Sequence, residues 1–335
     1  LDLVRRQVGV FVGISTNDYA MVQSGLGDFA SIDIFTATGG AFSIAANRIS
    51  HLLDLTGPSV AVDTACSSAL TAIHLAVRAL RAGDCRVALA GGVNALLAPT
   101  NFIAFSRMSM LSADGRCKAF DARANGFVRG EGVGLVALEP LAAAQAAGRR
   151  ILAVIRATAA NQDAHTSSLT VPSAAAQEAL VRDACREAGI DPATVDYVEA
   201  HGTGTAVGDP IEAAALSAAL ARGRPPGRPL ALGSVKSNIG HLESGAGAAG
   251  LIKAALMLER GTIPPSLHFR APPATIDLVA LNLRVVTSAQ PLAAGSGRPA
   301  RVAVNSFGFG GNNAHPPVGK APPPAPPRPA PRGPR

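Results

Sequence analysis

Short β-branched or apolar runs alternate with small-residue helical stretches from residue 8 almost to residue 306. Strands are predicted at 8–14, 59–63, 86–91, 133–138, 151–157, 196–200, 230–235, 283–287 and 301–306. Apolar residues at three- and four-residue spacing predict helices at 42–54, 67–82, 174–188, 210–221 and 244–259. Such alternation favours a layered α/β architecture. With 335 residues the chain can bury a large core, as one domain or as two packed halves. A hydrophobic content of 48% against 16% charged residues excludes disorder as its general state. No apolar run reaches the length of a membrane span and no signal peptide opens the chain, so a cytoplasmic protein is expected.

The alternation also contains an echo. "SVAVDTACSSALTAIHLAVRAL" and "SVKSNIGHLESGAGAAGLIKAALML" each run from a strand, through a turn with reactive side chains, into a small-residue helix. Two similar halves meeting at a central pair of helices would bring those turns together.

In the first of these stretches Cys66 sits at or just before the first turn of a helix. Unpaired N–H groups and the helix dipole favour an anion there, and the position is expected to lower a thiol pKa. The residues alone leave two readings open, a nucleophile or a packed core thiol, because free Cys is among the most buried residue types. The four cysteines, Cys66, Cys85, Cys117 and Cys185, form no C-x-x-C pair and have no His at ligand spacing. That argues against a metal site or a disulfide framework and for a reducing compartment.

Three more clusters carry chemistry. In "EAHGTGTAVGDPIE" (199–212) His201 follows a strand, and glycines let the backbone approach a ligand closely. The spacing misses the dinucleotide fingerprint by one residue. Thr203 and Thr205 offer hydroxyls suited to ligand amides. In "SVKSNIGHLESGAG" (234–247) Lys236 and His241 stand in an otherwise apolar or small segment. A lysine entering an apolar interior needs an anionic partner, and Asp209 and Glu212 are the candidates. In "NSFGFGGNNAH" (305–315) glycines around Phe309 make a turn whose N–H groups can converge on one point, as an oxyanion hole requires. A nucleophile, two hydrogen-bond donors for an enolate and an oxyanion site make up the inventory of thioester chemistry.

The net charge of +7 includes Lys320, Arg328, Arg332 and Arg335 of a Pro-rich tail without acids, so the rest carries 7 − 4 = +3. With few aromatics, this balance argues against nucleic acid and would suit an acidic protein partner.

The four blocks "VDTACSSAL", "EAHGTGTAVGDPIE", "KSNIGHLESGAG" and "NSFGFGGNNAH" resemble, in order, the signatures of β-ketoacyl synthases. In particular they resemble ketosynthase domains of modular (type I) polyketide synthases, over about residues 8 to 315. The resemblance implies a thiolase-like fold, two similar βα halves in five α-β-α-β-α layers, as a homodimer whose "SVAVD" strand pairs across the axis. It divides the chain into an N-terminal half at 1–140, a C-terminal half at 141–315, and a Pro-rich linker or tail at 316–335.

It further implies decarboxylative condensation of a Cys-bound acyl chain with a malonyl-type extender, in polyketide or fatty acid biosynthesis. Cys66 would carry the acyl chain, while His201 and His241 would bind the malonyl thioester carbonyl. Lys236 would pair with Glu212 and Asp209 to hold the histidines, and the N–H groups of Cys66 and Phe309 would form the oxyanion hole. The Phe309 ring would gate the acyl and malonyl pockets, and Thr203 and Thr205 would touch the phosphopantetheine arm. No metal or other bound cofactor is implied. The partners would be acyl carrier protein and acyltransferase domains, with neither nucleic acid nor membrane.

Two alternatives stand beside this reading, a non-elongating ketosynthase-like module that binds carrier-bound chains and an inactive fragment. Intact His201 argues against the first. The chain opens "LDLVRRQVGVFVG" without Met, so an N-terminal truncation is expected, with a missing neighbour beside strand 8–14. The fourth block reads "GGNNAH" where the family usually has "GGTNAH", and then meets Pro316-Pro317, which are not expected to continue a central strand.

Overall fold

The computed structural model describes residues 7–25, 29–225, 227–292 and 297–321. Its first sheet joins β1 (Val8–Gly13), β2 (Ser59–Val62), β3 (Val87–Asn94) and β4 (Gly132–Leu138) in the order β2-β1-β3-β4. β1 runs parallel to β2 and β3, and β4 runs antiparallel to β3. The later strands are β5 (Ala153–Ile155), β6 (Ala159–Gln162), β7 (Tyr197–Glu199), β8 (Leu230–Gly233), β9 (Thr262–Ile263), β10 (Leu283–Val285), β11 (Gln290–Pro291), β12 (Arg301–Val304), β13 (Ser306–Phe307), β14 (Asn312–His315) and β15 (Pro317–Lys320). They form a second sheet, β10-β8-β7-β12-β15-β5, a small sheet β13-β14-β6 and a ribbon β11-β9.

The echo in the sequence is a duplication in space. β8-β7-β12-β15 repeats β2-β1-β3-β4, three parallel strands followed by an antiparallel fourth. Five longer helices complete the layers: α1 (Ser43–Leu53), α2 (Ser68–Ala82), α3 (Ala174–Ala188), α4 (Gly208–Leu216) and α5 (Ala246–Arg260). α2 and α5 follow the equivalent strands β2 and β8 and pack together between the two sheets. α1 covers the outer face of the first sheet, and α3 and α4 cover the outer side of the second.

Strand periodicity shows why both faces of each sheet are apolar. Val10 and Val12 face α1 whereas Phe11 joins the central core, and Val302 and Val304 face the centre whereas Ala303 faces outward. The two central helices touch so closely that a Cβ on Gly247 would lie 2.6 Å from Leu70 Cγ, which explains the small-residue character of "SGAGAAG".

Four expectations change. β1 is not beside an open edge, because β2 and β3 flank it; among the described residues the outer edges of this sheet belong to β2 and β4. The helix expected at 210–221 begins at Gly208, and after Leu216 widens into a π-helical turn over Ser217–Ala221. The run 301–306 divides at Asn305, since β12 and β13 belong to different sheets. Residues 317–320 are not linker but the strand β15, lying between β12 and β5. The prolines are tolerated because they stand at its start and serve as acceptors, Pro316 O from Val304 N–H (3.3 Å) and Pro317 O from Arg156 N–H (2.9 Å). The remainder of the expected tail from 322 lies outside the described residues.

Candidate active site

Cys66 occupies a 3₁₀ turn, Ala65–Ser67, between β2 and α2. Ala65 holds a left-handed φ of 54°, a conformation that non-glycine residues keep only where surroundings enforce it. Here the Ala65 N–H donates to Asp63 Oδ1 (2.9 Å) and the Ser68 hydroxyl donates to Ala65 O (2.6 Å). Ser306 Oγ donates to Cys66 O (2.7 Å), tying the turn to β13. The unusual Asn312 fits the same turn, its Oδ1 accepting from Ser67 Oγ (3.0 Å) and Thr71 Oγ1 (3.1 Å).

The thiol does not have the lowered pKa expected of a helix start. Enclosure of the sulfur, and secondly the charge of Glu243, push it up to about 11. Lys236 and the N–H groups of Phe309 and of Cys66 itself pull the other way and do not prevail. Cys85, Cys117 and Cys185 are buried, whereas Cys66 is half-buried at the wall of a cavity of about 520 Å³.

His201 follows β7, and His241 lies in the loop before α5. Their rings stand 5.5 Å apart at 85°. The Phe307 N–H donates to His201 Nδ1 (3.3 Å) and the Glu243 N–H donates to His241 Nδ1 (3.0 Å). Each ring therefore accepts at Nδ1 and carries its proton on Nε2. Burial first, then the Lys236 charge, holds both imidazoles well below their ordinary pKa, so both are neutral. His241 Nε2 is buried without a protein partner, and both histidines line the cavity of Cys66.

The expected pairing of Lys236 with Glu212 and Asp209 is not formed. Lys236 Nζ donates to His201 O (2.6 Å). Glu212 is occupied by N–H donors, from His201 (2.8 Å), Gly202 (2.8 Å) and Asn305 Nδ2 (2.8 Å). Asp209 likewise accepts from Phe120 N–H (2.6 Å) and Gly204 N–H (3.1 Å), and its burial pushes its pKa up to about 7. The carboxylates fix the backbone around His201, and Lys236 senses Glu199 and Glu212 only through space. Thr203 and Thr205 line the cavity with their hydroxyls 3.2 Å apart, and the Phe309 ring, 45% exposed, stands edge-on to Phe105 at its rim.

Residues 2–144 match the beta-ketoacyl synthase N-terminal domain, and residues 152–270 match the C-terminal domain. The chain belongs to the β-ketoacyl synthase family. Among its relatives, a phenolphthiocerol/phthiocerol polyketide synthase protein of Mycobacterium tuberculosis (strain ATCC 25618 / H37Rv) is 52% identical over 313 residues, 93% of this chain and 16% of that protein. Spectinabilin polyketide synthase system protein NorA′ of Streptomyces orinoci is 47% identical, over 95% of this chain and 9% of that protein. The ketosynthase from module 6 of the bacillaene synthase from Bacillus subtilis 168 superposes with a TM-score of 0.88 at 40% identity, over 96% of this chain and 55% of that one. The chain thus spans a small part of these synthases and about half of the solved ketosynthase. The thiolase-like fold of the family is the one described above.

Within this β-ketoacyl synthase four further residues join the site that no motif singled out, Arg129, Glu243, Asn305 and His315. Arg129 forms a buried, bidentate ion pair with Glu243, and its guanidinium stacks over Phe102 at 4.5 Å. Glu243, at a φ of 46°, supplies the N–H that sets the His241 tautomer. Only this backbone contact ties it to His241, and periodicity carries no sign of that. Asn305 bridges Glu212 and His315, whose Nδ1 lies 2.6 Å from Asn305 Oδ1; the block "NSFGFGGNNAH" contains both residues but gives no hint of their partners.

Proposed function

We propose that this β-ketoacyl synthase domain catalyses decarboxylative carbon–carbon condensation in polyketide assembly, with Cys66 as acyl carrier and His201 and His241 as enolate binders. An acyl chain leaves its carrier thiol for Cys66 Sγ, and the thiol proton passes to the departing thiolate. A pKa of about 11 puts the free thiolate about 5 kcal/mol uphill at pH 7, so the proton leaves as attack occurs rather than before it. The N–H groups of Cys66 and Phe309, which both face the sulfur, receive the oxyanion of the attacked carbonyl.

A malonyl thioester then loses its carboxylate as CO2, and the electron pair of that C–C bond becomes an enolate. Two neutral Nε2–H donors can bind the enolate oxygen without being bases themselves. The enolate carbon attacks the Cys66 thioester, the tetrahedral oxyanion returns to the same N–H pair, and Cys66 leaves as thiolate and is reprotonated. The observation that carries this reading is the occupation of both histidine Nδ1 atoms by backbone N–H groups.

The substrates would arrive on the phosphopantetheine of acyl carrier protein, with Thr203 and Thr205 along that arm and Phe309 between the pockets. Acyltransferase domains of a cytoplasmic synthase would load the carrier. The polyketide synthase relatives support these partners. A second copy would pair along β2, an edge strand with Val60 38% exposed. Among the described residues no helix is long and apolar enough to cross a membrane, and no cluster of His, Cys, Asp or Glu fits a metal.

Intact-mass measurement after incubation with an acyl thioester should show one acyl group, lost in Cys66→Ala and kept when Cys85, Cys117 or Cys185 becomes Ala. Cys66→Gln should still release CO2 from malonyl carrier protein while forming no condensed product. Acylation elsewhere with Cys66 silent would overturn the assignment.

A further inference from the structure

Gln177 lies in the first turn of α3 with 1% of its surface exposed, yet it lines the cavity of Cys66. Its Oε1 is buried without a hydrogen-bond partner. The polar groups around it are committed. Ser173 caps the helix by accepting from Ala176 N–H (3.2 Å), and Ala176 O accepts from Asn161 Nδ2 (2.8 Å). α3 packs against α4, which starts just after the Thr203–Thr205 loop, so Gln177 sits on the wall that carries those hydroxyls. The two threonine hydroxyls are paired with each other, and both oxygens of Asp209 accept backbone N–H groups. No group among the described residues donates to this carbonyl, and a buried carbonyl left without a donor is destabilising. A donor for it can come from what fills the cavity that Gln177 lines.

We infer that Gln177 is a specificity-determining residue that accepts a hydrogen bond from an amide N–H of the pantetheine arm. The inference rests on the proposed condensing function. Acyl chains differ in their polar groups, and many offer no donor at all. The arm offers two secondary amides with every substrate, so an acceptor fixed in the wall matches the one part common to all of them. Thr203 and Thr205 would then share the arm with a carboxamide from α3 on the same wall.

The test compares acylation of Cys66 from two thioesters of the same acyl group, one of pantetheine and one of propanethiol, which has no amide. For each enzyme form the readout is the ratio of kcat/KM for the two donors, followed by intact mass. This ratio is insensitive to the fraction of protein that is folded. Gln177→Leu should lower the ratio about tenfold, the scale of one lost hydrogen bond in an enclosed site. Gln177→Met, which keeps the length of the side chain, should lower it similarly and serves if the leucine variant does not fold. A ratio unchanged in a variant that is acylated would overturn the inference, showing that Gln177 supports packing or meets the acyl chain. Wild-type protein acylated at Cys66 by neither donor would instead defeat the condensing function on which the inference stands.

Discussion

The two halves share one topology and use it differently. In the first, the turn after β2 presents a thiol; in the second, the equivalent turn after β8 presents Lys236 and leads to His241. The supports differ as well. Asp63, which holds the Cys66 turn, is exposed, whereas Glu212, which holds the backbone at His201, is buried and accepts three N–H bonds. The antiparallel fourth strands differ most. β15 is flanked by β12 and β5, while among the described residues β4 pairs with β3 alone and leaves Val133 70% exposed. On the proposed mechanism the duplicated scaffold divides the reaction, the acylated thiol standing on the first half and the enolate donors on the second, with Phe309 of the second half reaching across to the thiol.

The largest expected effect would break that division of labour. His201→Ala or His241→Ala should reduce condensation by about 10²–10³-fold, the scale of a lost oxyanion donor, and leave acylation of Cys66 within a few-fold. Loss of both steps together, in single-turnover assays, would show that the halves do not divide the chemistry. Next in size is the contrast of supports. Glu212→Leu strands three buried donors and should cost about 3–5 kcal/mol, whereas Asp63→Ala should cost about 1 kcal/mol or less. Thermal melts of the two variants compare them directly, and equal shifts would contradict the asymmetry.

A third prediction concerns charge passing between halves. With its pKa raised to about 11, Cys66 should be alkylated about tenfold faster per pH unit from pH 7 to 9, where an ordinary thiol levels off. Glu243 of the second half contributes to that rise, so Glu243→Gln should lower the pKa and speed alkylation at pH 8. A slower reaction in the variant would reverse the assigned sign. The smallest effect is at the β4 edge. Val133→Lys should change stability by no more than about 0.5 kcal/mol and reduce concentration-dependent association, read by light scattering.

Much of this was legible beforehand because periodicity and catalytic side chains are written in the sequence. The strands around Val10, Val198 and Val302, the helices from Ser68 and Ala246, and the gathering of Cys66, His201, His241 and Lys236 around one site were all foreseeable. The pairing of Lys236 was not, since a motif names a cation and two carboxylates but not the backbone N–H groups competing for them. Nor was the Cys66 pKa, which depends on how completely the far half closes over the sulfur. β15 was missed because two prolines obscured a strand whose carbonyls alone join its neighbours there.

That last strand has a consequence for the order of events at the ribosome. β5 and β15 are adjacent in the sheet, yet Val154 pairs with Gly319 across almost half the chain. The Phe309 N–H that faces the thiol is also encoded near residue 320. Such distant partners close late, because the intervening loop must be made and ordered first. A nascent chain that has long since emitted Cys66 still lacks the proposed oxyanion donor of Phe309 and the strand that seals β5. The active centre is thereby timed by translation, assembling only when nearly all of the described chain has emerged.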